Sequence, residues 1–130
     1  MIDSAIIPAN TVITAKGDGD PVDISSAENR VFLVSLDIVE AVEQESFDLS
    51  IFGSTDGQTW TPKALLEFPQ QFYKSQTPIL LDLRGEPDIR FVRAHWKVNR
   101  WGRGSETPAF TVSAKVREVP AAVLRETSAK

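Results

Sequence analysis

The chain has 130 residues, 42% of them hydrophobic and 25% charged, with a formal net charge of -4 and no cysteine. That length buries roughly two thirds of the unfolded surface in one core, so a single domain is expected. The mildly acidic balance gives no electrostatic footprint for nucleic acid or anionic lipid, and the lack of thiols excludes disulfides, thiolate metal sites and cysteine nucleophiles.

The chain opens with "MIDSAIIPAN". This stretch lacks the basic and long apolar regions of a secretory signal, so export by that route is not expected. With Pro8 inside it, residues 1–10 are predicted to form a flexible arm detached from the body. "TVITA" then reads as a short strand. "KGDGDPVD" follows, where Asp18, Asp20 and Asp23 bring hard oxygen ligands close together. The spacing is not that of an EF-hand loop. A Gly-Asp turn leading into a strand at Val22 is the expectation and calcium the alternative; no metal or other cofactor is otherwise expected.

Further along, the apolar period is two. "RVFLVSLDIVEAV" places Phe32, Val34, Leu36 and Ile38 on one side, and "FDLSIF" does the same with Phe47, Leu49 and Ile51. "PILLDL" is a shorter strand. "RFVRAHWKV" sends Val92, Ala94, Trp96 and Val98 inward and Arg93, His95 and Lys97 outward. "AFTVSAKVREV" sends Phe110, Val112, Ala114 and Val116 inward. The intervening "STDG", "RGEPD" and "GRGSETP" are turn compositions. The apolar runs are strand-sized, well short of the ~20 residues that cross a bilayer as a helix. Many short strands predict an all-β fold, an antiparallel β-sandwich resembling a jelly roll, over residues 11–119. Pro120 stops strand pairing and begins a C-terminal tail, 120–130.

Charge is uneven: acids dominate up to Trp60 and bases dominate from Arg84 to Arg117. Two readings follow, pairing across strands within one domain or complementary faces on neighbouring copies in a homo-oligomer.

Catalytic chemistry is poorly provisioned. His95 is the only histidine, flanked by Arg93 and Lys97 with no carboxylate beside it in sequence, and it reads as a strand-surface residue. "FGSTDGQTWTP" is the most motif-like stretch. Asp56-Gly57 marks a hairpin whose glycine takes a positive φ, with Asp56 and Thr59 holding the turn and Trp60 packing over it. "NRWGRGSET" is the loop joining the last two strands. There Trp101 either lids the core or, with Arg100 and Arg103, forms a Trp/Arg interaction anchor.

Taken together, Ser54, Asp56, Gly57, Thr59 and Trp60, then Phe68 and Gln70, then Arg90, Val92, Arg93, Ala94 and Trp96, then Pro108, Phe110 and Thr111 resemble motifs of small stand-alone β-sandwich proteins. Those proteins are encoded among the virion structural genes of tailed bacteriophages, and the resemblance covers residues 11–118. It implies a non-enzymatic virion structural protein, a decoration or accessory subunit assembled in the host cytoplasm. Its partners would be capsid or tail proteins of the same particle and further copies of itself, with no membrane or nucleic-acid partner. Discoidin-like carbohydrate-binding domains share the hairpin and the R-x-V-R strand, so a glycan-binding module for host-surface recognition is the alternative, with Trp101 as its stacking platform.

Overall fold

The computed structural model describes residues 2–41, 45–72, 74–100 and 110–120, with backbone only at Glu45 and Arg100. Among them are nine strands: β1 (Asp3–Ile13), β2 (Gly17–Asp18), β3 (Val22–Asp23), β4 (Val31–Ala41), β5 (Glu45–Ser54), β6 (Leu66–Glu67), β7 (Ser75–Asp82), β8 (Phe91–Arg100) and β9 (Phe110–Glu118). They form two antiparallel sheets. Sheet A has the order β1-β9-β4-β7, and sheet B runs β2-β8-β5-β6 with β3 also on β8. Because β2 meets His95 and Trp96 and β3 meets Phe91 and Val92, the two behave as one interrupted strand along the same edge. Each sheet thus interleaves strands from both ends of the chain with strands from its middle, as in a jelly roll.

Alternation drives this arrangement. On β4, Phe32, Val34, Leu36 and Ile38 are buried; β5 buries Phe47, Leu49 and Ile51, and β9 buries Phe110, Val112, Ala114 and Val116. Each row faces the opposing sheet, and the two layers share one apolar core. Phe47 of sheet B meets Phe110 of sheet A with ring centroids 5.3 Å apart. On β8, Val92 and Ala94 are fully inside, while Trp96 and Val98 pack at the core margin.

Close approach between the layers requires a glycine at one place. A Cβ on Gly19 would stand 2.6 Å from the carbonyl oxygen of Ile6 in β1, while the Gly19 N–H donates to the Ala94 carbonyl at 2.8 Å. A side chain there would have to displace the Ile6 carbonyl or the Gly19 segment, and with the latter its bond to Ala94.

The N-terminal segment corrects the sequence reading. Residues 3–10 are not a detached arm; they form most of β1, paired with β9 from Asp3↔Arg117 to Ile13↔Phe110. Ile6 and Ile7 are both buried. Two consecutive residues face the core because the register shifts between Ala5 and Ile7 and again between Ile7 and Thr11. Asn10 takes φ 60 at the second shift, and the Thr11 hydroxyl donates to the Pro8 carbonyl at 2.6 Å. A proline is tolerated there because β1 is an edge strand and the bulge needs no ladder donor. The bulge also hides the period of two that would have marked a strand. Residues 121–130 of the expected tail lie outside the described residues.

Burial of Ile7 makes a distinction measurable. Ile7→Ala is expected to lower unfolding stability by about 3 kcal/mol, the cost of a core cavity, in urea titration followed by circular dichroism. An N-terminal arm would show no change.

Candidate functional site

Two outward-facing rows, one on each sheet, carry most of the surface chemistry. On sheet B the register Asp18↔His95, His95↔Ser50 and Ser50↔Glu67 sets four side chains in line across β2, β8, β5 and β6. Paired residues in an antiparallel ladder point to the same side, so this row belongs to the outer face. Beside it, Asp48 stands opposite Lys97 and Phe52 opposite Arg93.

His95 is held from two sides. Its Nδ1 lies 2.8 Å from Asp18 Oδ1. An ionised carboxylate can only accept, so Nδ1 carries the hydrogen, and in the neutral ring Nε2 is left as an acceptor. Phe52 stands perpendicular to the imidazole, with centroids 5.7 Å apart. Asp18 also lies 3.8 Å from Arg93 Nε, and the Arg93 guanidinium stacks 4.3 Å above the Trp60 ring. Asp18 of the front half therefore meets Arg93 and His95 of the back half across strands inside one domain, while Asp3 is in register with Arg117 and Asp48 with Lys97.

Carboxylate, imidazole and hydroxyl stand here in the order that nucleophilic catalysis uses. The remaining requirements are not met: no hydrogen bond joins His95 to Ser50, and the backbone around Ser50 is committed to pairing with β8 and β6 rather than presenting paired N–H donors to an oxyanion. What the row does form is a shallow trough of about 360 Å³, lined by Asp48, Ser50, Phe52, Glu67, His95 and Lys97 with the backs of Leu49 and Phe68. Gln70 Nε2 donates to Asp48 Oδ2 at 3.1 Å and steadies that wall.

On sheet A the corresponding row is Asp3, Arg117, Leu33 and Leu80, in register across β1, β9, β4 and β7. Together with Ile2, Val119 and Pro120 it borders a groove of about 590 Å³ that is mostly apolar. Leu80 is 58% exposed. Beneath this groove lies Glu118, which continues the inward row of β9 and is 2% exposed. Its Oε1 accepts from the Ile2 N–H at 3.1 Å, and Oε2 accepts from Glu28 and Asn29 N–H groups at 3.1 and 2.9 Å. Burial pushes its pKa up, but the three backbone donors outweigh that and hold it below the ordinary carboxylate value.

The hairpin residues occupy the positions read from sequence, with different labour. The Ser54 hydroxyl accepts from the N–H groups of Asp56 (3.2 Å) and Gly57 (2.8 Å) and donates to Asp56 Oδ1. Asp56 Oδ1 accepts from the Gln58 and Thr59 N–H groups, each at 2.8 Å. The Thr59 N–H first, then that of Gln58, then the Ser54 hydroxyl keep the Asp56 carboxyl below its usual pKa. Thr59 contributes backbone, not side chain, and Gly57 takes φ 80 as expected. Trp60 pairs with Ser54 and turns under Arg93, while Phe91 lies against Gly57.

The calcium alternative fails on geometry. Asp18 and Asp23 stand opposite His95 and Phe91, four residues apart along β8 and so about 13 Å from each other along the sheet edge. Asp23 is turned to Ser25, whose hydroxyl and N–H both donate to it. Among the described residues no three His, Asp or Glu side chains gather as ligands. Of the loop anchor, Arg100 ends β8, whereas Trp101 and Arg103 lie outside the described residues. The sequence matches no model of a known protein family, and no curated protein matches it either.

The Glu118 clamp sets a pH dependence. A folded-state pKa below 4.5 adds stability that is fully present above 4.5 and is lost as pH falls through the folded value. Glu118→Gln turns an amide N–H₂ toward a backbone donor, so it is expected to cost about 2 kcal/mol at neutral pH. Denaturant titrations from pH 7 down to pH 3 should show a shallower acid loss in the variant than in the wild type.

Proposed function

We propose that the protein is a non-enzymatic structural component of a tailed-phage virion, an accessory or decoration subunit seated on capsid or tail proteins. The observation that carries this reading is the groove on sheet A. An acid, a base and two leucines stand in register there, and the second leucine, Leu80, is left largely in water on a strand that is otherwise well ordered into the sheet. A lattice subunit inserting an apolar side chain beside Leu33 and Leu80, and pairing its own charges with Asp3 and Arg117, would give the arrangement its use. Burying one leucine contributes ~1.5–3 kcal/mol, so a few such anchors suffice when the rest of the interface merely excludes water.

Three further observations support an assembly role over a reactive one. The Asp18–His95–Ser50 row lacks the hydrogen bond and the oxyanion donors that acyl transfer needs. The Glu118 clamp ties Ile2 and the end of β9, which border the groove, to the loop at residues 28–29, giving that border fixed anchorage. The motifs of the hairpin and of β8, which resemble those of phage virion sandwiches, form the framework of sheet B. Bound subunits would stabilise the particle because they bind the assembled lattice rather than its free components.

Co-sedimentation with purified particles tests the reading. Wild-type protein should pellet with particles stripped of it, and Leu80→Asp should lower the bound fraction about tenfold or more, since it replaces an apolar anchor with a desolvated charge. Trp101→Ala, in the same assay, should also weaken attachment if the loop shares the interface. Failure of wild-type protein to bind any particle component, or undiminished binding by Leu80→Asp, would overturn the proposal.

A further inference from the structure

The trough on sheet B is unrelated to the sheet A groove, because the outer faces of the two layers point in opposite directions. Its shape comes from residue size. Ser50, the smallest member of its row, forms the floor between His95 and Glu67, while Asp48 and Phe52 rise from the same strand two residues to either side. The volume of about 360 Å³ falls within the ~300–1,000 Å³ typical of small-ligand sites.

The chemistry of the walls selects among ligands. Two carboxylates, Asp48 and Glu67, stand among the Lys97 ammonium, the His95 imidazole and the Ser50 hydroxyl, so the site offers both donors and acceptors and charges of both signs. A phosphate or sulfate would meet two repelling carboxylates. A divalent cation would lack a third converging ligand among the described residues. A flat nucleobase would need parallel faces, whereas Phe52 and His95 stand at 89°. Hydroxyl groups that donate and accept in turn, carried on a ring with an apolar C–H face to lay on Phe52, match what remains. Two of the walls are already fixed before any ligand arrives, His95 by Asp18 and Asp48 by Gln70, which lowers the ordering cost of binding.

We infer that this trough, floored by Ser50 and walled by Asp48, Phe52, Glu67, His95 and Lys97, binds a neutral saccharide of one or two rings. On a particle-bound subunit seated through sheet A, it would face away from the lattice, toward whatever glycan surface the particle meets. The inference does not require the particle reading, since binding here is a property of the isolated chain.

Amide chemical shifts of the labelled full chain provide the test. The probes are the methyl glycosides of glucose, galactose, mannose, rhamnose, N-acetylglucosamine and N-acetylgalactosamine, with dextran as a polymeric arm. At least one should give saturable shifts centred on residues 48–52, 67 and 95–97, with Kd of about 1 mM as expected for a shallow single-ring site. Ser50→Trp fills the floor and should abolish them; Glu67→Ala, at an exposed position, should weaken them at least severalfold and serves if the first variant does not fold. Trp101→Ala should leave them intact. Dextran shifting these amides where the glucoside does not would still support the site and mark it as reading an extended chain. Absence of saturable shifts with every probe, shifts centred elsewhere, or shifts that survive both trough substitutions would overturn the inference, while leaving particle attachment through Leu80 a separate question.

Discussion

Everything in this molecule follows from a constraint on four central strands: each must bury every second residue against the opposing sheet. β4 and β9 in one layer and β5 and β8 in the other meet that constraint with phenylalanine, leucine, isoleucine, valine and alanine, and Phe47 against Phe110 marks the seam. Once the inner rows are committed, the outer rows are released from any role in folding. They can carry acids, bases, hydroxyls or exposed leucines at little cost, which is why the two faces of one small sandwich differ so much in character.

The margins of the sandwich are held by polar chemistry rather than by more of the same core. Glu118 occupies a position that alternation assigns to the interior, yet it is a carboxylate. It is tolerated because three backbone N–H groups from two other segments, at Ile2 and at residues 28–29, donate to it. In return the first strand, the loop before β4 and the last strand are drawn to one point. At the other margin, the Ser54–Asp56 turn and the Arg93–Trp60 stack fix the start of the irregular edge that follows β5. Rigid margins on both layers give the two outer rows a fixed geometry, a requirement for either of them to recognise anything.

Much of the fold was legible in the amino-acid order because period-two alternation is local. β4, β5, β8 and β9 announce themselves, and so does the Asp56-Gly57 turn. Only the end of β1 did, in "TVITA"; residues 3–10 did not, since the bulge around Pro8 and Asn10 puts Ile6 and Ile7 side by side in the core and erases the pattern. The site was far less legible. Asp18 and His95 are 77 positions apart and meet only because the jelly-roll path lays β2 on β8, so His95 read as lacking a carboxylate neighbour. Glu118 and Ile2 are separated by 116 positions. The row Asp3, Arg117, Leu33 and Leu80 draws on four strands, and no stretch of sequence contains it. Trp101, the most conspicuous residue of the sequence, falls outside the described residues, whereas the side chains lining both faces, such as Leu80 and Ser50, carry no distinguishing sequence signal.

The two outer faces differ in chemistry, and the proposed role assigns partner binding to sheet A and leaves sheet B outward. Hydroxyl-radical footprinting of the protein on and off a purified particle tests this most directly. Leu33, Leu80 and Pro120 should lose reactivity on attachment while Phe52, Trp60 and His95 keep theirs; protection of the sheet B side chains with Leu80 still reactive would contradict this assignment of the faces.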